Sequence, residues 1–309
     1  MKLSRKIVYD NCECSTIKSK YVYIDYNRQL NMFFFSPCCG ALPKKFIKPI
    51  AFTYDEIMNN FEQCIKIYME ADLCDLNKYY EGRCEYYRES CQVKTNLCTN
   101  YTANKNIETM QVMISHWCNL RCSMCCVREE YDEFLAKIYK KILQEVSKLN
   151  FIKKMLTTGK GEPFFYKKEI FDILKNTNKL LFVVSNGTLI TDNDIDFFEQ
   201  YKDRLKIVLS IDSTVKSVYE KIRIGANYEY VMHVLDELKK RNMLYCVNYV
   251  YQELNKNVAY NDLLWFKKND IRVKILIDFT MFEKKDCVDC VDIDYNVKKV
   301  IKFDKGYLL

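Results

Sequence analysis

Cys118-Asn119-Leu120-Arg121-Cys122-Ser123-Met124-Cys125 is a C-x3-C-x2-C run. Three thiolates so close in sequence can wrap one corner of an iron–sulfur cube. A four-iron cluster held by four cysteines is coordinatively closed. Held by Cys118, Cys122 and Cys125 alone, it would keep one iron with an open position. Such an iron can bind the amino and carboxylate groups of a small molecule and pass it an electron. C-x2-C pairs also serve zinc, so a structural metal knot is the competing reading of these residues taken alone.

The surroundings bear on that choice. Thr109–Ser115 carries Met110, Val112, Met113 and Ile114, which predicts a buried strand. The cysteine run leaves its carboxyl end, where parallel α/β sheets and barrels build active sites. A helical pattern over Phe134–Leu149 and a strand over Ile152–Thr158 follow, then Gly159-Lys160-Gly161-Glu162-Pro163. Glycine there lets the main chain approach a ligand. A short helix and the strand Leu180–Val184 lead into Ser185-Asn186-Gly187-Thr188, which alone is a plain Asn-Gly turn with a Thr cap. Helix Asp192–Gln200 precedes strand Leu205–Ile211, which ends in Ser210-Ile211-Asp212. Helix Tyr228–Lys240 places Val231, Val234, Leu235 and Leu238 on one face. Strand Met243–Tyr251, helix Asp262–Lys268 and strand Ile271–Asp278 complete the series, with Asn248 and Tyr249 candidates to face a substrate.

The three cysteines, G-x-G-E-P about forty residues later, S-N-G-T and S-I-D at successive strand ends resemble the radical S-adenosylmethionine (radical SAM) superfamily. The resemblance implies an α/β fold with a partial (β/α)6 TIM-type barrel, spanning roughly Thr109 to Phe279. It also implies a 4Fe–4S cluster on the three cysteines and reductive cleavage of SAM to a 5′-deoxyadenosyl radical that abstracts hydrogen from a substrate. By the same resemblance Met124 packs on the adenine, and the Gly159–Gly161 backbone meets the methionine amino group. Glu162 shapes that loop, and Asn186 belongs to the S-N-G-T segment. Ser210 and Asp212 face the ribose, with helix capping the alternative for Asp212. Arg223, thirteen residues after Ser210, reaches the SAM carboxylate. A reductant such as flavodoxin or ferredoxin is the expected electron source. Cys126 is read as a non-ligand, because a fourth thiol would close the open iron.

Nine of the sixteen cysteines precede residue 100. Tyr21–Asp25 and Leu30–Ser36 predict a β-hairpin, flanked by Cys12 and Cys14 on entry and by Cys38 and Cys39 on exit. Tyr54–Ala71 predicts a helix with Cys64 in its core. Together with Gly82-x-Cys84 and Cys91, the hairpin resembles the SPASM or twitch domains that hold auxiliary 4Fe–4S clusters. Such modules normally follow the barrel, whereas this one precedes it. Cys14, Cys38, Cys84 and Cys91 are the expected auxiliary ligands, Cys12 and Cys39 the alternates, and a zinc site or unligated thiols the competing reading. The expected division is a cysteine-rich domain over 1–107, a radical SAM core over 108–284, and a tail over 285–309 with Cys287 and Cys290.

The totals narrow the classes further. The chain has 309 residues, 49% hydrophobic, with a net charge of +7 scattered among both signs. Nucleic-acid binding is therefore not indicated. No apolar run has signal-peptide or membrane-span length, so a cytoplasmic, reduced setting is expected. The expected substrate is a peptide or protein, with epimerisation or dehydrogenation of a sugar or sugar nucleotide as the alternative. A zinc-bound RNA-binding or regulatory protein is the rival from another class. It leaves the motifs at successive strand ends unexplained.

Overall fold

The computed structural model describes residues 21–27, 31–36, 50–70, 107–112, 117–125, 130–157 and 161–277. Gly159, His116, Cys126, the expected auxiliary ligands Cys14, Cys38, Cys84 and Cys91, their alternates Cys12 and Cys39, and the Cys287/Cys290 pair lie outside the described residues. The chain divides into two units, one over 1–113 and 140–156, the other over 114–139 and 157–309.

In the first unit the expected hairpin is present: β1 (Tyr21–Asn27) pairs antiparallel with β2 (Met32–Ser36). Val22, Ile24 and Tyr26 alternate into the core from β1, as Phe33 and Phe35 do from β2. That period of two places one face of each strand against the interior. β3 (Ile50–Thr53) adds antiparallel to β2, and α1 (Tyr54–Glu70) follows it directly. Thr53 starts the helix: its N–H and hydroxyl both donate to the Glu56 carboxylate, a reciprocal cap. Ile57, Phe61, Cys64, Ile65 and Tyr68 are the buried stripe of α1, and Phe35 meets Phe52, Phe61 and Tyr68 edge-on or tilted. β4 (Thr109–Val112) pairs in parallel with β1, Val22 opposite Met110, so the hairpin joins the sheet of the first core strand.

α2 (Glu133–Lys148) and β5 (Lys154–Thr157) lead into the second unit. There α3 (Lys167–Asn176), β6 (Leu180–Ser185), α4 (Asp192–Glu199), β7 (Leu205–Ser210), α5 (Lys216–Ile222), α6 (Tyr228–Lys240), β8 (Leu244–Tyr251), α7 (Ala259–Lys268) and β9 (Val273–Ile277) alternate. β6, β7, β8 and β9 lie side by side, and each neighbouring pair is parallel. The α/β class and its parallel sheet are thus as read from the sequence. One face of the sheet carries Leu181, Val183, Leu209, Val247 and Tyr249, all fully buried. Burying such side chains is the main favourable term, about 1.5–3 kcal/mol for each large one. α4 opens with a capping box between Thr191 and Asp194. Sequence periodicity had not marked β3 or α5, each only four to seven residues long.

Asp262 of α7 fixes the ends of two strands. Its Oδ1 accepts from the Thr214 N–H (2.9 Å) and hydroxyl (2.6 Å), and its Oδ2 from the Tyr249 hydroxyl (2.9 Å). The Asp262 side chain lies inside the core, so Asp262→Ala leaves three donors without an acceptor. That variant is expected to lose about 3 kcal/mol of stability, read as a lower midpoint in urea denaturation, while Asp262→Asn should lose less.

Candidate active site

Cys118, Cys122 and Cys125 stand on an irregular loop within the second unit. Its only internal backbone hydrogen bond among the described residues runs from Cys125 N–H to Cys122 C=O (3.1 Å). The other backbone-to-backbone bonds of the loop go outward. Arg121 N–H donates to Ile224 C=O (3.0 Å) and Ser123 N–H to Ile222 C=O (2.8 Å), so the loop pairs with the end of α5 and the turn after it. Gly225 in that turn has φ +97°, and Leu120 and the Asn119 carbonyl lie within 3.6 Å of where a Cβ would sit. The Trp117 carbonyl accepts from Glu162 N–H (2.8 Å), and its ring stacks on Phe165 with centroids 3.6 Å apart.

Glu162 is the second element. Its carboxylate is fully buried and takes three donors: Ser185 hydroxyl (2.7 Å), Asn186 N–H (2.8 Å) and Phe164 N–H (3.1 Å). The last of these caps the short 3-10 turn Pro163–Tyr166. One side chain thereby joins the Gly161 loop to the end of β6, with Gly161 at φ +86° and Gly187 at φ +80°, conformations that favour glycine. A Cβ on Gly187 would lie 3.2 Å from Leu209 Cδ2. Burial pushes the Glu162 carboxyl up to about 6, against the pull of its three donors.

Asn186 reaches from β6 to the cysteines. Its Nδ2 donates to Asn119 Oδ1 (3.0 Å) and lies 3.6 Å from Cys118 Sγ, which Leu120 N–H also approaches at 3.4 Å. Its Oδ1 accepts from Thr188 N–H (2.9 Å) and hydroxyl (2.7 Å), and the Thr188 hydroxyl in turn accepts from Asn119 Nδ2 (2.7 Å). S-N-G-T is therefore more than a turn. It grips Asn119, the residue after the first cysteine.

Ser210 ends β7 half-buried, level with Asn248 on β8. Asp212 is fully buried and Arg223 nearly so. Arg223 Nε donates to Asp212 Oδ2 at 2.7 Å, and Asp212 Oδ1 accepts from Val250 N–H at 2.7 Å. Both oxygens of Asp212 are thus engaged within the protein, and its helix-capping alternative is not what they do. Met124 is half-buried beside Cys125. Tyr249 points into the core and bonds Asp262, so of the two β8 candidates only Asn248 shares a face with Ser210. His233 is an exposed partner of Asp192 at 2.9 Å.

Two residues of this site had no motif to mark them. Gln252 Oε1 accepts from the Ser123 hydroxyl (3.1 Å), and Gln252 N–H donates to Asn255 Oδ1 (2.9 Å). Asn255 Nδ2 donates to the carbonyls of Asp212 and Val250, both at 2.8 Å. Polar residues in the turn after a predicted strand were the only available signal.

Burial raises the Cys118 and Cys122 thiols, with the other cysteines of the loop adding to the rise. Among the described residues no three His, Cys, Asp or Glu side chains converge on a single ion. Three thiols on different corners of a cube do not need to. The donor set is all sulfur, the choice of iron–sulfur clusters. Tyr219 Oη, Asn248 Oδ1 and Gln252 Nε2 are buried without a hydrogen bond among the described residues, as expected where a polar ligand belongs. The residues present fit a cluster with a polar small molecule.

Three cysteine thiols beside the carboxyl end of β6 define a thiol-rich site on an α/β fold. Residues 112–254 match the model of the Radical SAM superfamily. A GTP 3′,8-cyclase of Clostridium perfringens (strain SM101 / Type A) is 23% identical over 184 residues, 56% of this chain and 55% of that protein. The antilisterial bacteriocin subtilosin biosynthesis protein AlbA of Bacillus subtilis (strain 168) is 29% identical over 115 residues, 36% of this chain and 25% of that protein. The crystal structure of Streptococcus suis SuiB bound to precursor peptide SuiA aligns with a TM-score of 0.49 at 17% identity, covering 81% of this chain and 57% of that one. The chain spans about half the length of the first of these relatives. Among the described residues no helix is long and apolar enough to cross a membrane.

With its carboxyl raised to about 6 from an ordinary 4.5, Glu162 binds its proton more tightly folded than unfolded. Its contribution to stability is full below pH 4.5 and is lost as pH rises through 6. Relative to Glu162→Gln, the wild type should lose about 2 kcal/mol of unfolding free energy between pH 4.5 and 7. Urea denaturation of both proteins across that range checks it, and a constant difference would contradict it.

Proposed function

We propose that this chain is a radical SAM enzyme acting on a peptide or protein. Cys118, Cys122 and Cys125 would hold a 4Fe–4S cluster that binds SAM. When bound, the cluster and SAM supply a one-electron reductive cleavage to methionine and a 5′-deoxyadenosyl radical that abstracts hydrogen. The observation that carries this reading is the hydrogen-bonded joining of the cysteine loop, the Gly161–Glu162 loop and the end of β6.

The chain's own residues position and enclose. Glu162 holds the Gly161 backbone open toward the methionine amino group, with Gly159 on the same loop. Met124 packs on the adenine, and Asn186 and Ser210 present polar groups on the nucleoside side. Asp212 acts by holding Arg223, which is left to receive a carboxylate through Nη2. Asn248, level with Ser210, is the candidate substrate contact. No general acid or base is needed for hydrogen abstraction by a radical. The electron comes from a carrier such as flavodoxin or ferredoxin.

Similarity to a bacteriocin biosynthesis protein supports a peptide substrate, and similarity to a GTP cyclase is what supports a nucleotide instead. Cys14, Cys38, Cys84 and Cys91 are the proposed ligands of an auxiliary 4Fe–4S cluster.

Anaerobic reconstitution tests the reading. With SAM and dithionite, the wild type should form 5′-deoxyadenosine, and a variant with Ala at Cys118, Cys122 and Cys125 should fall to background. No 5′-deoxyadenosine from wild-type protein carrying a full cluster would overturn it. A 4Fe–4S electron paramagnetic resonance signal that survives in the triple variant would mark the auxiliary cluster, and loss of all iron would remove it.

A further inference from the structure

Arg223 stands between a buried carboxylate and a cysteine of the loop. Its Nε faces Asp212 Oδ2 at 2.7 Å, and its Nη1 lies 4.0 Å from Cys122 Sγ. The arrangement is held from both sides. Bonds from Arg121 and Ser123 to Ile224 and Ile222 flank the pair, so Cys122 and Arg223 sit opposite one another on two paired segments. Asp212 is anchored by Val250 N–H at its carboxylate and by Asn255 Nδ2 at its carbonyl. Arg223 is 7% exposed and Asp212 is closed to solvent. Attraction alone seldom repays the burial of such a pair, which directs attention to what the cation faces.

We propose that Arg223, locked by Asp212, is the fixed counter-charge of the cluster, facing the Cys122 thiolate and making the cluster easier to reduce. The proposal rests on Cys122 being a cluster ligand. Reduction adds one negative charge to the cluster. A cation within a few ångströms, in a site with little water to screen it, stabilises the reduced form more than the oxidised one. Asp212 opposes this effect, but the guanidinium lies between it and the thiol. Arg223 is on this account a positioning and charge-setting residue, and its Nη2, which makes no hydrogen bond among the described residues, leaves the SAM carboxylate role compatible with it.

The test is a potentiometric titration of the full chain, reconstituted anaerobically without SAM and followed by electron paramagnetic resonance. The signal followed is the one that the Cys118/Cys122/Cys125 triple alanine variant lacks. Arg223→Gln is expected to lower the ratio of reduced to oxidised cluster roughly tenfold at the wild-type midpoint, a fall of about 59 mV for one electron. Arg223→Lys should stay near the wild type. Arg223→Gln combined with Asp212→Asn leaves no buried charge unpaired, and it decides the matter if the single variant does not assemble. It should shift in the same direction by less. An unchanged midpoint in the assembled variants, with only cluster content reduced, would make Arg223 structural and overturn the proposal. A wild type that holds no such cluster would instead overturn the proposed function.

Discussion

A loop with almost no backbone-to-backbone hydrogen bonds of its own takes its shape largely from its neighbours. That constraint governs the site. Residues 117–125 contain one internal backbone bond, yet any shared metal centre requires three sulfurs in a fixed arrangement. The shape is therefore imposed by neighbours: the turn after α5 through Ile222 and Ile224, the 3-10 turn through Glu162, and the end of β6 through Asn186. Buried backbone donors and acceptors must find partners, and here their partners define the loop.

Two buried carboxylates do this work in different ways. Glu162 takes donors only from neutral groups and sits so deep that its proton affinity rises. Asp212 faces a guanidinium and a backbone N–H and belongs to a charged pair. The first ties loop to strand end, while the second fixes a cation against a thiol. Asn255 and Gln252 connect the Asp212 end back to Ser123, so hydrogen bonds run from the cysteine loop to β7 and β8 and back.

Much of this was legible before any coordinates. Tyr228–Lys240 was bounded to the residue, because a stripe of Val231, Val234, Leu235 and Leu238 is a strong helical period; the structure adds a cap from Asn227. From β5 to β9 the strands were placed within a residue or two by their short apolar runs, while the expected Thr109–Ser115 starts with β4 and runs on outside the described residues. β3 was missed because Ile50–Thr53 is too short to show alternation, and α5 because its buried residues are only Tyr219 and Ile222. Glu162, Asn186, Asp212 and Arg223 were singled out through resemblance, but their mutual bonds were not readable. Nothing in the order of the residues says that Asp212 spends both oxygens on Arg223 and Val250. Gln252 and Asn255 carry no pattern at all, since a polar side chain in a turn is usually solvated.

The sequence by itself determined the α/β alternation, the cysteine spacing and the motifs at the strand ends. Those depend on local periodicity and on which residue types allow a given backbone. The tertiary structure alone decided which charges meet, which face of β8 is open, and that the hairpin of the first unit pairs with β4. Such facts depend on register and burial between segments far apart in the chain, where energies are set by desolvation and partner geometry rather than by neighbours in sequence.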